Sequence, residues 1–294
     1  MMFSHTRIPG FHAILALGIA ALLVTAGCSD DDEVQQPEEF APPSNLTVVN
    51  GDEEIMLSWS ASPDEALDEF ARYNLYRSET SLVGVDVGLA DYKVGEVLKG
   101  GGYEIADAVA NGTRYYYHVR AQKENGDLSP ATNEVQGAGR EEGEGIIIEE
   151  FASDGDSGFD FSTGLSVSLE TTNENRFDLC DIYLGTTAAD NDPGSALALK
   201  SPSTLSDLNE GWSDILAQIK PIGTDWNITT TTLSDFDSQF QINEGTVYAV
   251  RTPARIPSPS YLGKIQITSI TGEAGSRAIT FRYAYQSNYE LTLF

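Results

Sequence analysis

The sequence predicts an all-β, mainly antiparallel protein: a β-sandwich followed by a second β-rich domain with one or two short helices. Three observations lead there. From Asn45 onward, apolar residues come in short runs broken by Gly, Asn, Asp and Pro. Within the runs they alternate, as in Ile55-Leu57-Trp59 and Ile279-Phe281-Tyr283-Tyr285, the period of a half-buried strand. Helical spacing is confined to Thr204–Lys220, where Leu205, Leu208, Trp212, Ile215, Leu216 and Ile219 form a stripe, with a further turn of helix expected between Leu233 and Phe240. Ser203 or Ser206 would cap the stripe and Pro221 would end it.

The first 27 residues read as a secretory signal. Arg7 supplies a positive head, and Ala13 to Val24 is an apolar run too short for the roughly 20 residues that span a bilayer. Thr25-Ala26-Gly27-Cys28 resembles the lipobox of bacterial lipoproteins, with Thr25 where that family prefers Leu. The resemblance implies cleavage before Cys28 and lipid on its sulfur and amine, an anchor of several acyl chains. Ser29-Asp30-Asp31-Asp32-Glu33 resembles the signal that sends some Gram-negative lipoproteins to the outer face of the outer membrane. The expected location is therefore the outer membrane, lipid-anchored and facing the exterior.

Composition narrows the partners. A net charge of −28 over 294 residues argues against nucleic acid, which needs a basic footprint. Cys180, in FDLCDIYL, alternates with Ile182 and Leu184 and reads as a small buried hydrophobe, so no disulfide or zinc site is expected. Downstream of the signal the chain keeps one histidine, His118, expected to point outward from its strand, and one methionine, Met56.

Residues 28–44 are acidic and Pro-rich and read as an extended tether. Residues 45–136 then present seven short strands: Leu46–Val49, Ile55–Trp59, Tyr73–Arg77, Tyr92–Val94, Tyr103–Ala106, Thr113–Gln122 and Asn133–Val135. The order APPSNLTV, LSWS, YNLYRS, NGTRYYYHVRAQ, NGDLSPATNEV resembles a fibronectin type III domain throughout. That likeness implies a core role for Trp59 and a tyrosine corner at Tyr115, whose hydroxyl would tie down the preceding loop. Where some members carry an Arg-Gly-Asp adhesion loop, this chain has Asn125-Gly126-Asp127, a hairpin turn without the arginine.

Residues 137–145, GAGREEGEG, read as a flexible linker. In residues 146–294, strands are expected at Ile146–Ile148, Phe177–Leu184, Thr246–Thr252, Tyr261–Ile270 and Arg277–Gln286. FDFSTG, DIYL, GTVYAVRT, LGKIQITSI and ITFRYAYQ resemble the HmuY-like surface lipoproteins. The founding members of that family capture haem between paired histidines or methionines. This region has neither residue, so that ligand pair maps onto nothing here, no cofactor is expected, and haem would need Cys180 or a tyrosine.

The candidate ligand residues come from charge and aromatic placement. Residues 139–245 hold 21 acids against 4 bases, whereas residues 246–294 hold Glu273 and Glu290 against Arg251, Arg255, Lys264, Arg277 and Arg282. By alternation Lys264 and Arg282 face away from the apolar side of their strands, and Arg251 joins them if strand order allows, a cluster suited to a carboxylate. Trp226 and Tyr261 are candidates for a sugar platform, with Trp212 assigned to packing. The runs 154–160 and 190–192 space oxygen ligands as calcium loops do, without the EF-hand pattern, and read as acidic turns. No P-loop, dinucleotide motif or catalytic triad is present, and no catalysis is expected. The expected function is capture of a small molecule at the cell surface, with a glycan-binding protein of an uptake system, or a structural or adhesive envelope protein, as alternatives.

Overall fold

The computed structural model describes residues 39–86, 88–169, 180–189, 191–205, 215–254 and 259–294. Cys28, Trp212 and Arg255 lie outside the described residues, as do Leu208, residues 177–179 and Asp190. The fold is all-β: the described residues form seventeen strands in four sheets, and every one of these strands pairs antiparallel.

The first two sheets form a sandwich. Strands β1 (Ser44–Asn50), β2 (Glu54–Ser60) and β5 (Glu104–Ala108) pair in the order β1-β2-β5. Strands β3 (Phe70–Ser78), β4 (Lys93–Leu98), β6 (Arg114–Lys123) and β7 (Val135–Ala138) pair in the order β4-β3-β6-β7. Alternation puts Ile55, Leu57 and Trp59 of β2 against Tyr73, Leu75, Tyr117, Val119 and Ala121 of the facing sheet. Trp59 meets the Tyr73 ring edge-on, 5.6 Å between centroids.

Three expectations change in this sandwich. The end of the tether is packed: Phe40 is buried beside Phe70, and Ala41 donates its N–H to Asp64 Oδ2 at 2.7 Å. The tying hydroxyl belongs to Tyr117, which donates to Asp107 Oδ2 at 2.8 Å, whereas Tyr115 stacks on the Arg77 guanidinium at 4.8 Å. His118 is 3 % exposed, because Leu82, Val85, Leu89 and Tyr92 from the β3–β4 connection cover Tyr76, which His118 contacts edge-on at 5.2 Å. Alternation correctly turns His118 away from the main core, but the covering loop then removes it from water.

The second pair of sheets packs around a larger core. One contains β8 (Glu141–Glu149), β13 (Gln218–Gly223), β15 (Val247–Arg251), β16 (Leu262–Thr271) and β17 (Ala278–Gln286), in the order β13-β15-β16-β17-β8. The other contains β9 (Gly158–Asp160), β10 (Leu165–Val167), β11 (Ile182–Thr186), β12 (Leu197–Lys200) and β14 (Gln239–Gln241), in the order β10-β9-β11-β12-β14. Phe159, Phe161, Ile182, Leu184 and Leu199 pack against Tyr248, Val250, Ile265, Ile267, Ile279 and Phe281.

Residues 206–214 of the expected helical stripe, Leu208 and Trp212 among them, lie outside the described residues, and its described end at 215–220 is not helical. Among the described residues there is no α-helix, only 3-10 turns at Pro63–Ala66, Leu89–Tyr92 and Pro202–Thr204. Ser201 caps the last of these, and Ser206, one of the two expected caps of the stripe, lies outside the described residues. Ile219 is buried in β13, and Pro221 lies inside that strand, which is the edge of its sheet, where a missing N–H costs no ladder bond. Ala217 and Ile219 point inward and Leu216 outward, so two-residue alternation overrides the spacing at this end. The second expected turn falls on β14 and the irregular chain before it.

The expected linker is mostly strand, buried over residues 137–140 and exposed only at Glu144 and Gly145. Residues 135–138 and 141–149 are strand, and Arg140 between them is 1 % exposed. Its glycines permit close approach. A Cβ on Gly137 would sit 2.9 Å from Val48 Cγ2, and one on Gly143 would sit 2.4 Å from Tyr283 Cε1. Asn50 bridges the two sandwiches, accepting from Ala138 N at 3.1 Å and donating to Phe294 O at 2.6 Å.

Two measurements check this packing. Gly143→Ala drives a methyl into the Tyr283 ring and is expected to cost about 1–3 kcal/mol, read as a lower denaturation midpoint. Burial lowers the His118 pKa from 6.5 to about 4, so the folded state favours the neutral ring. Its stabilising contribution is full above pH 6.5 and is lost as pH falls toward 4. The drop in melting temperature between pH 7 and pH 4 should therefore be smaller in His118→Phe than in the parent; equal drops would contradict the assignment.

Candidate functional site

The outer face of the β13-β15-β16-β17-β8 sheet carries the chemistry. Cross-strand pairing sets Lys220, Ala249, Lys264, Ala284 and Glu142 in one row, and Val247, Gln266 and Arg282 in the next. The alanines leave room for the lysine side chains to lie between strands. Residues 224–236 cross this face as a strap. Lys220 Nζ donates to Thr232 O at 2.6 Å, Thr232 Oγ1 at 2.9 Å and Ser234 O at 3.0 Å, with the Phe236 ring 5.0 Å away. Lys264 Nζ donates to Trp226 O and to Ile228 O, the latter at 2.9 Å. Gln266 Nε2 adds a bond to Thr224 O at 3.0 Å.

This pinning places the Trp226 ring among three cations. Lys264 Nζ lies 4.5 Å from its centroid, Arg282 Cζ 4.3 Å and Arg140 Cζ 5.9 Å, all within cation–π range. Arg282 gives Nε and Nη2 to Gln266 Oε1, at 2.9 and 2.5 Å. Arg140 Nε donates to Glu142 Oε1 at 2.8 Å, and its Nη2 forms an ion pair with the same oxygen at 2.6 Å. Beside the ring opens a cleft of 240 Å³ lined by Glu142, Gly143, Glu144, Trp226 and Arg282. An indole flank, a guanidinium and two carboxylates can together hold a small ligand that both donates and accepts hydrogen bonds.

Lys264 is 0 % exposed and its pKa falls to about 7. Burial is the largest cause, Arg140 and Arg282 add to it, and Glu142 and Asp225 oppose it. Burial also lowers the Arg140 pKa, against the pull of Glu142.

Of the residues singled out in the sequence, Lys264, Arg282 and Trp226 come together, with Lys264 sealed beneath the strap rather than open to a ligand. Arg251 shares their face but lies at the end of β15, exposed and 3.4 Å from Gln218 Oε1. Tyr261 belongs to the opposite, core-facing side, with Tyr285 at 5.7 Å and the 56 % exposed Tyr289 at 6.4 Å. It forms no platform with Trp226. Cys180 is fully buried and donates to Ile182 O at 3.2 Å, out of reach of a surface porphyrin. Among the described residues no three His, Cys, Asp or Glu side chains converge on an ion site. Asn191, from the second acidic run, accepts from Lys200 Nζ at 2.9 Å, so a lysine stands where a cation would.

Arg140, Glu142, Gly143 and Glu144 were missed. An arginine among glycines and glutamates carries no sign of burial, and it reaches the site because the strand that follows it, β8, pairs with β17. Among the described residues no helix is long and apolar enough to cross a membrane.

No family model matches the chain, and no curated protein does. Among solved structures, a central fibronectin-III array of RIM-binding protein is similar over 79 % of this chain and 73 % of its own, at 11 % identity and a TM-score of 0.27. Pectate lyase Pel3 from Pectobacterium carotovorum is 23 % identical over 32 % of this chain and 26 % of its own, TM-score 0.24. An alpha-L-rhamnosidase from Dictyoglumus thermophilum is 11 % identical over 86 % and 26 %, TM-score 0.28. This chain spans about a quarter of the length of the two enzymes. None of these likenesses enters the functional argument.

The buried lysine makes a pH prediction. Its folded pKa lies below its unfolded value of 10.5, so holding it charged penalises the folded state below about pH 7, and the penalty fades as pH rises to 10.5. Melting temperatures of Lys264→Met and the parent should therefore differ more in the variant's favour at pH 6 than at pH 9. A pH-independent difference would show Lys264 to be solvated.

Proposed function

We propose that this is a lipid-anchored protein of the outer membrane, held at Cys28 and facing the cell exterior, which captures a small molecule without transforming it. The first sandwich, fibronectin type III-like, acts as spacer and presenter. The second, HmuY-like, carries the capture site. The observation that supports this reading is the convergence of Trp226, Arg282 and Glu142 around one cleft on the sheet's outer face.

The cleft volume of 240 Å³ lies below the roughly 300–1,000 Å³ of drug-sized sites, which favours a ligand about one ring in size over a porphyrin. A glycan-binding protein of an uptake system is the second reading, favoured by the exposed Tyr289 beside Tyr261.

Calorimetric titration of the protein with haemin, succinate and neutral hexoses separates these readings. Capture at the cleft predicts that one small ligand binds, that Trp226→Ala weakens it at least tenfold, about 1.4 kcal/mol, and that Tyr261→Ala leaves it unchanged. Hexose binding lost in Tyr261→Ala instead would favour the glycan reading. A saturable haemin shift in the Soret band, or no binding of any probe, would overturn the cleft as the capture site.

A further inference from the structure

The same face holds a buried guanidinium whose hydrogen bonds its neighbours leave incomplete. The Arg140 side chain is 2 % exposed, and its Nε and Nη2 both bond a single oxygen, Glu142 Oε1. Its Nη1 is fully buried and has no acceptor. Buried donors in folded proteins are nearly always paired, and charged ones most of all. Lys264 and Arg282 stand beside it, close enough that each of the other two cations disfavours charge on Lys264. Near these three cations stand Glu142 in contact with Arg140, exposed Glu144 on the cleft wall, and exposed Asp225 on the strap acting on Lys264 through space.

We propose that a small monovalent anion binds behind the Trp226 ring, accepting from Arg140 Nη1, with Lys264 and Arg282 as its other positive neighbours. Water would satisfy the N–H, whereas an anion also meets the guanidinium's charge on the edge that Glu142 leaves uncovered. The cleft beside Trp226 and Arg282 is lined by Glu142, the ion-pair partner of Arg140, and is the opening that these contacts place nearest to the subsite. Glu142 and Glu144 on its walls repel multiply charged anions, which restricts the occupant to a halide or the carboxylate end of an organic acid. The subsite stands on Arg140 and does not rest on the capture reading, since a halide can bind where no larger ligand does. Arg140 N also donates to Gly51 O at 3.0 Å, so the occupant would brace the junction between the two sandwiches as well as the strap.

Crystals of the full chain grown in bromide test this directly. The expected result is an anomalous peak within hydrogen-bond reach of Arg140 Nη1. In parallel, melting temperature is followed at fixed ionic strength in bromide, formate and the bulkier gluconate. Bromide or formate should raise it by a few degrees over gluconate, saturably, and Arg140→Gln should abolish the difference. Displacement of the bromide peak by formate would identify a carboxylate subsite, and its persistence a halide site. No peak together with equal melting temperatures in the three salts overturns the proposal. A salt difference that survives intact in Arg140→Gln does so too. Should Arg140→Gln fail to fold, the anomalous map of the parent still decides.

Discussion

Lys220, Lys264 and Arg140 carry their charge out of water, and a charge so placed must be met by oxygen atoms or be lost. The outer face of the second sandwich is arranged around that demand. Two lysines in one cross-strand row reach up to backbone carbonyls of residues 226–234, so an irregular segment with no ladder of its own is fixed across the sheet. The strap's carbonyls need donors as much as the lysines need acceptors, and each solves the other's problem. The position of Trp226, and with it one wall of the cleft, follows from this exchange.

The junction between the sandwiches obeys a related constraint. Chain passing from β7 to β8 is shielded from water, so its polar groups must find protein partners. Arg140 N finds Gly51 O, and Ala138 N finds Asn50 Oδ1. Such close approach excludes side chains at Gly137 and Gly143, which explains a glycine-rich composition that elsewhere marks mobility. The sandwiches are therefore joined by buried hydrogen bonds and by the cluster of Ala138, Leu291 and Leu293.

Much of the strand framework was legible because alternation survives wherever one face meets a core. Ile279, Phe281, Tyr283 and Tyr285 all point inward, and the same rule turns Lys264 and Arg282 outward. It failed at Ile215–Ile219, where the same apolar residues satisfy a helical and an extended pattern, and at His118, whose outward side is covered by a loop distant in sequence. The site was half legible. Its contributions from β16 and β17 follow from strand period, but Arg140 reads as solvent-facing charge because nothing local signals its burial, and nothing local brings Glu142 and Glu144 to the cleft.

By itself the amino-acid sequence determined what depends on near neighbours: the all-β class, the faces of the long strands, the outward turn of Lys264 and Arg282, and the aromatic candidates Trp226 and Tyr261. Tertiary structure decided what depends on distant partners. It separated Tyr261 from Trp226 by placing them on opposite sides of one sheet, turned an apparent linker into strand that walls a cleft, and sealed Lys264 beneath a strap. The physical reason is that burial belongs to an assembly of strands rather than to a residue. Side-chain direction is fixed by a two-residue period, whereas exposure and charge balance are fixed by which elements pack above it.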